Sequence, residues 1–268
     1  MDLWRAIVLG LVEGLTEFLP VSSTGHLLVT QRLLGIEADA AANAYAIAIQ
    51  GGAIAAVLVL YRQRLAQVLR GLVGRDAEGL HLGLALVVAF VPAAIAGLAL
   101  DDLIESYLFG PIPVAIAWAA GGLLMLWLSP RLQPGGSRLG QVPLRAAAII
   151  GVCQCLALWP GVSRSLATIL GGVAVGLSLA AAVEFSFLLG LLTLGAATAY
   201  KALDSGTVML EAYGPGVLAA GFAAAWVSAM LSVAWMVSWL QHHRLAVFGW
   251  WRLGAAAVVL ALVLTHRL

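Results

Sequence analysis

Apolar runs long enough to cross a bilayer follow one another along nearly the whole chain, and two of them are broken midway by proline, glycine and hydroxyl side chains. A membrane-crossing helix needs roughly 20 apolar residues. Six uninterrupted runs meet that length, at about 42–61, 80–100, 111–129, 183–200, 216–240 and 247–265. The other two, about 3–35 and 143–178, are interrupted by "LPVSSTG" and "WPGVSRS". Backbone that leaves helical geometry at membrane depth is tolerated only where protein or a water-filled cavity covers it. The broken stretches therefore predict re-entrant helical hairpins, which enter the membrane and return. The expected fold class is an all-α polytopic membrane protein.

The two hairpins resemble each other. Shifting the chain by 141 residues sets Gly10 on Gly151, Glu13 on Gln154, Leu15 on Leu156, Phe18 on Trp159, Val21 on Val162, Ser22 on Ser163 and Ser23 on Arg164. Each half is then one hairpin followed by three spans, with repeat 1 at about 1–130 and repeat 2 at about 141–268 of a single integral domain. Three spans is an odd number, so the second half starts on the opposite side from the first. That makes an inverted repeat, an arrangement that places sites at the midplane where broken helices meet.

Charge gives the orientation. One side carries the segments 62–79, 130–145 and 241–246, with Arg62, Arg64, Arg70, Arg75, Arg131, Arg138, Arg145 and Arg244. The other carries Arg5, Arg32, Lys201 and Arg267 beside the acidic Asp101, Asp102 and Glu105. Eight cations against four place the arginine-rich segments in the cytoplasm. The first run is expected to stay in the protein rather than be cleaved as a leader, because Glu13 and Glu17 interrupt its apolar stretch. A content of 62% hydrophobic residues with 10% charged ones excludes an ordinary soluble domain, and a net charge of +1 argues against a nucleic-acid partner. Cys153 and Cys155 fit no metal or disulfide pattern and are expected to be inert buried thiols. The tryptophans, Trp118, Trp250 and Trp251 among them, suit interfacial belts. Arg252 either snorkels or joins the site electrostatically, and His242 and His243 are expected to be solvated.

The chemistry sits in the breaks. Glu13 and Glu17 are four apart, which puts both carboxylates on one helical face. Each costs roughly 2.5–3.5 kcal/mol at the membrane centre, so the pair needs a partner or a function. Magnesium is typically held by one or two carboxylates plus substrate phosphate oxygens. In "PVSSTGH", Pro20 stops the first helix, and Ser22, Ser23 and Thr24 open a new N-terminus, a natural phosphate site. Ser23 and His26 are three apart and could share one face, either serving as nucleophile. Arg164, in "PGVSRS", almost demands an anionic partner, and its planar fork matches phosphate. Together these groups describe a phosphoryl-transfer site.

At these residues the chain resembles the undecaprenyl pyrophosphate phosphatase (bacitracin-resistance) family. "EGLTEFLPVSSTGH" is similar to that family's first signature, "PGVSRSLATILGG" to its second, and "CQCLALWPG", "EFSFLL" and "FGWWR" extend the resemblance along the chain. The resemblance implies hydrolysis of undecaprenyl pyrophosphate, recycling the carrier lipid of peptidoglycan and other envelope polymers in the bacterial inner membrane, and bacitracin resistance. It implies Glu13 and Glu17 as the metal-associated pair for calcium or magnesium, with Glu17, Ser23, His26 and Arg164 as the catalytic set. Ser22, Thr24, Ser163 and Ser165 would be further phosphate contacts beside Arg164. The chain departs from the family at Leu166, where the signature usually has glycine, at Ala46, and near Leu192.

Other membrane lipid phosphatases need a second histidine shortly after their arginine, and none occurs here between His81 and His242. The alternative of another class is a polyprenyl-phosphate flippase, which needs no hydroxyl–imidazole pair beside two carboxylates. The reading leaves the oligomeric state open and admits a homodimer.

Overall fold

The computed structural model describes residues 1–36, 40–131 and 135–266, without the side chains of 40, 101, 102, 105 and 201–211. Several charges used for the orientation (Asp101, Asp102, Glu105, Lys201 and Arg267) therefore lie outside what is described. The described residues are mostly helical: α1 (Leu3–Thr16), α2 (Ser23–Leu33), α3 (Ala40–Leu60), α4 (Arg62–Leu72), α5 (Ala77–Leu108), α6 (Pro111–Leu128), α7 (Leu144–Cys155), α8 (Arg164–Ala174), α9 (Leu179–His242) and α10 (Ala246–Leu264). Six segments are long and apolar enough to cross a membrane: Ala41–Leu60, Ala77–Leu100, Pro111–Arg131, Leu179–Tyr200, Ala212–His242 and Ala246–Leu264. They coincide with the six runs read from the sequence, so the protein is a multi-pass membrane protein.

Local chemistry sets the helix ends. Asp76 caps α5 by accepting from Gly79 N at 2.8 Å, Ser178 caps α9 through Ala181 N at 3.2 Å, and Pro111 starts α6 where no amide is needed. α9 contains two spans and breaks at Gly214, whose φ of 72° only glycine adopts easily, just before Pro215. Within the arginine-rich segment 62–79, Arg62–Leu72 form the amphipathic helix α4. Leu65 and Val68 lie against the core, and Arg64 pairs with Glu184 at the start of α9 at 2.7 Å.

Each broken stretch turns back on itself. Ser137 and Ser178 flank the second one, and the backbone joins them: Ser137 N donates to Gly176 O at 2.9 Å and Ser178 N to Ser137 O at 3.2 Å. Small residues let the hairpins pack tightly. A Cβ on Gly10 of α1 would collide with the carbonyl of Gly221 in the second span of α9, and one on Gly151 of α7 with that of Ala89 in α5. Ser232 Oγ donates to Gly14 O at 2.8 Å, fastening α1 further. The first helix of each hairpin thus lies on the second span of the opposite half, while α6 meets α10 at Gly122 and Gly249. The two helical breaks are thereby brought together at the centre of the bundle.

Candidate active site

The breaks have the same unusual backbone. Ser22 stands at φ 71°, ψ 99° and Ser163 at φ 77°, ψ 118°, each as the residue just before the second helix of its hairpin. A non-glycine residue there is strained by about 1–3 kcal/mol and persists only where its surroundings impose it. Both serines are buried. Ser163 Oγ accepts from Leu166 N at 3.3 Å and lies 3.0 Å from Ser165 Oγ. Ser165 Oγ in turn donates to Leu19 O at 2.9 Å, stitching the second hairpin to the first.

Between them lies a charged cluster. Arg164 Nη2 donates to Glu17 Oε1 at 3.1 Å, with both side chains nearly sealed from solvent. The other oxygen of Glu17 accepts a hydrogen bond from the Ser23 hydroxyl. Arg164 Nη1 donates to Ser186 O at 2.9 Å, and its guanidinium lies over the Phe18 ring at 5.1 Å. Glu13 stands one turn behind Glu17 on α1, 1% exposed, with Oε1 lacking any hydrogen-bond partner. Two adjacent carboxyl groups thus stand against one guanidinium.

A cavity of about 690 Å³ opens onto this cluster. Its polar wall holds Glu17, Ser22, Ser23, Thr24, Ser163 and Arg164 together with Gln50, Gln154 and Thr193. Its apolar wall is formed by α5 between Phe90 and Ala99, by α9 near Leu194 to Tyr200, and by Ala157 and Leu158 at the second break. The α5 and α9 walls belong to the ends of their spans nearest residues 101–105 and Lys201, away from the arginine-rich segments. Such a cavity suits an amphiphile with an anionic head and a hydrocarbon tail.

Glu17, Ser22, Ser23, Thr24, Ser163 and Arg164 are thus brought to one surface. Ser165 and Glu13 stand behind it, and His26 stands apart. Its Nδ1 donates to Ser22 O at 2.7 Å, because its Nε2 accepts from the Trp251 indole N–H at 3.0 Å. The imidazole packs against Trp118 at 4.6 Å and does not line the cavity. Of the pair expected to meet one phosphate, Ser23 hydrogen-bonds to Glu17 and His26 packs between Trp118 and Trp251. Trp118 is 1% exposed, a core residue and not an interfacial one. Leu166 packs in the core and leaves the cavity mouth untouched. Cys153 and Cys155 are free and half-buried. His242 and His243 are exposed, as expected.

Gln50, Gln154 and Thr193, polar residues of the cavity wall, escaped the sequence reading as site residues. Thr193 Oγ lies 3.3 Å from Gln154 Oε1, and Thr198 Oγ lies 3.3 Å from Gln50 Oε1. The register that sets Glu13 on Gln154 was the available signal for Gln154. Gly190 was also missed: a Cβ there would fall 2.6 Å from Arg164 Cζ. Gly190→Ala, which helix propensity alone would favour by about 1 kcal/mol, is expected to displace the guanidinium. Turnover should fall about 10- to 100-fold, the cost of an ångström-scale misplacement. Steady-state kinetics on folded protein checks this, and an unchanged rate would show that Arg164 tolerates displacement.

The donor set fits a hard divalent cation. Glu13 offers an unpartnered buried oxygen beside Glu17, and the hydroxyls of Ser22, Ser23 and Thr24 stand on the cavity wall. No cluster of three or more His, Cys, Asp or Glu side chains exists among the described residues. Remaining ligands would have to be hydroxyls, water and substrate, as is usual for magnesium.

Residues 6–258 match the family model of the bacitracin resistance protein BacA. The chain is similar to a protein of Sorangium cellulosum named undecaprenyl-diphosphatase, 47% identical over 260 residues that cover 95% of this chain and 84% of the relative. It is also similar to undecaprenyl-diphosphatase 1 of Chromobacterium violaceum, 44% identical with 96% and 95% of the two chains covered. A relative from Ectopseudomonas mendocina, named undecaprenyl-diphosphatase, is 43% identical with 97% and 95% covered.

Proposed function

Because the chain belongs to the bacitracin resistance protein BacA family, we propose that it hydrolyses undecaprenyl pyrophosphate to undecaprenyl phosphate and inorganic phosphate. That reaction recycles the lipid carrier of peptidoglycan and other envelope polymers, and removing the pyrophosphate form gives resistance to bacitracin. The observation that carries the reading is Ser23 donating its hydroxyl proton to Glu17, whose other oxygen holds Arg164, on the wall of a cavity with a long apolar side.

In this reading the diphosphate enters beside Arg164, which neutralises the oxygens of the terminal phosphorus. Ser22, Thr24 and Ser163 supply further hydrogen bonds. Ser23 Oγ attacks that phosphorus, its proton passes to Glu17, and the bond to the lipid phosphate breaks, leaving phosphoserine. Glu17 hands that proton to the departing lipid phosphate and then takes one from water, whose oxygen displaces Ser23 from phosphoserine; the proton returns to Ser23 Oγ as inorganic phosphate leaves. His26 positions the turn through Ser22 O. Calcium or magnesium, held by Glu13 and Glu17, would offset phosphate charge. The prenyl chain lies along α5 and α9. A flippase has no use for a hydroxyl hydrogen-bonded to a carboxylate, and nothing in the site favours it.

The test is incubation of purified protein with the lipid. Inorganic phosphate and the monophosphate lipid should appear in equal amounts, stop on chelation and return with calcium or magnesium. Release unaffected by thorough chelation would remove the cation from the account.

The reading also places the protein in the inner membrane as an inverted repeat of re-entrant hairpins, with the cavity opening to the periplasmic face. The cavity's position at the span ends away from the arginine-rich segments supports that orientation, and the exchange-related packing of α1 and α7 supports the repeat. Single cysteines placed in 62–79, in a background lacking Cys153 and Cys155, should react with a membrane-impermeant maleimide only after the cells are opened. Labelling in intact spheroplasts would reverse the orientation.

A further inference from the structure

Arg252 of α10 is completely buried, and among the described residues its guanidinium meets no carboxylate. It meets carbonyls instead. Nε lies 3.4 Å from Trp118 O, Nη1 lies 3.2 Å from Pro20 O and 3.1 Å from Val162 O, and Nη2 lies 2.9 Å from Ala117 O and 2.8 Å from Gly161 O. Five such bonds use every N–H that an arginine carries. Pro20 and Gly161 are 141 residues apart, the register that also relates the strained Ser22 and Ser163. One side chain therefore holds the equivalent carbonyl of both breaks and ties both to α6.

The peptide bonds here are trans, so each N–H points opposite to its own carbonyl. Drawing Val162 O toward Arg252 turns the Ser163 N–H away from it, and Ser163 lines the cavity while Arg252 does not. An apolar side chain of similar volume would fill the same space without the penalty of burying a charge. A lysine could not span carbonyls from three elements, because its donors radiate from one point.

We propose that Arg252 is a positioning residue for the hydrolysis: it sets the first break, which carries Ser23, at a fixed distance from the second, which carries Arg164. The proposal rests on the phosphatase reading. Removing the clamp leaves nucleophile and phosphate-binding arginine present but out of register, so the chemical step slows while the lipid still binds.

The test uses full-length R252K, R252M and Gly121→Ala in detergent. A Cβ on Gly121 would fall 2.7 Å from Arg252 Cζ, so this third variant displaces the guanidinium and leaves its charge in place. The folded fraction of each is measured by size exclusion and thermal unfolding, and kcat and KM for phosphate release are then determined on folded protein. The expected result is a kcat lower by about 10- to 100-fold in R252M and Gly121→Ala, with partial recovery in R252K and KM changed less than about threefold. Wild-type kcat in folded R252M and Gly121→Ala would reduce Arg252 to a packing residue and overturn the proposal. If R252M does not fold, Gly121→Ala decides alone. A wild type that releases no phosphate removes the reading itself, an outcome distinct from variants that match an active wild type.

Discussion

Replacing Arg164 with alanine is expected to lower phosphate release by about a thousandfold or more, since loss of a single donor to a developing oxyanion already costs about 10²–10³. The guanidinium is the one side-chain cation hydrogen-bonded at the cavity wall among the described residues, and it also fixes Glu17 at 3.1 Å. Its removal therefore takes away phosphate neutralisation and frees the carboxylate that receives the Ser23 proton. It also leaves Glu17 buried without its counter-charge. Breaking a buried pair from one side costs about 3–5 kcal/mol, so thermal unfolding in detergent should move sharply downward. Arg164→Lys separates the two effects. A lysine restores a charge but not the bidentate fork, so stability should largely return while turnover stays low. Turnover near wild type in folded Arg164→Ala would remove this residue from the site.

Ser23→Ala should cost about 10⁴-fold or more in kcat, the scale on which hydrolases respond to loss of a nucleophile or its partner. Its effect on folding should be far smaller. Glu17 loses one hydrogen bond, worth about 1.5–3 kcal/mol for a charged group, and keeps Arg164. Acid quenching of wild type during turnover of lipid labelled at the terminal phosphate should leave label on Ser23, with none on Ser23→Ala. Label retained by Ser23→Ala would move the nucleophile elsewhere.

Much of this arrangement was legible in the sequence because hydropathy and helix breakers act locally. The six spans and the two breaks follow from run length, from Pro20 and Pro160, and from the hydroxyl-rich segments after them. The sequence also marked Glu17, Ser23 and Arg164 as chemistry-bearing residues, but it assigned Arg164 to phosphate and Glu17 to a cation, and so missed their ion pair. What the sequence hid depends on direction and distance. Helical spacing put Ser23 and His26 together on α2, but Ser23 opens that helix just after the positive φ of Ser22 and its hydroxyl turns to Glu17. The imidazole swings toward Trp118 and Trp251, 225 residues further on. Arg252 was read as a snorkelling or electrostatic residue because its five acceptors are backbone carbonyls, which leave no mark on side-chain composition. Gly121 and Gly190 look like ordinary span glycines, and only the fold shows that each lies beneath an arginine.

α4 has the same origin. Its arginines served only to orient the chain, whereas Leu65 and Val68 against the core and the Arg64–Glu184 pair hold it to the bundle as a helix.

The most direct measurement is the stoichiometry of phosphate release from undecaprenyl pyrophosphate by purified wild-type protein in detergent micelles. No two compartments exist there, so transport yields nothing and only bond cleavage gives a signal. Repeated turnover with one inorganic phosphate per monophosphate lipid formed is the expected result. Folded protein that binds the lipid and releases no phosphate, with either cation present, would contradict the account.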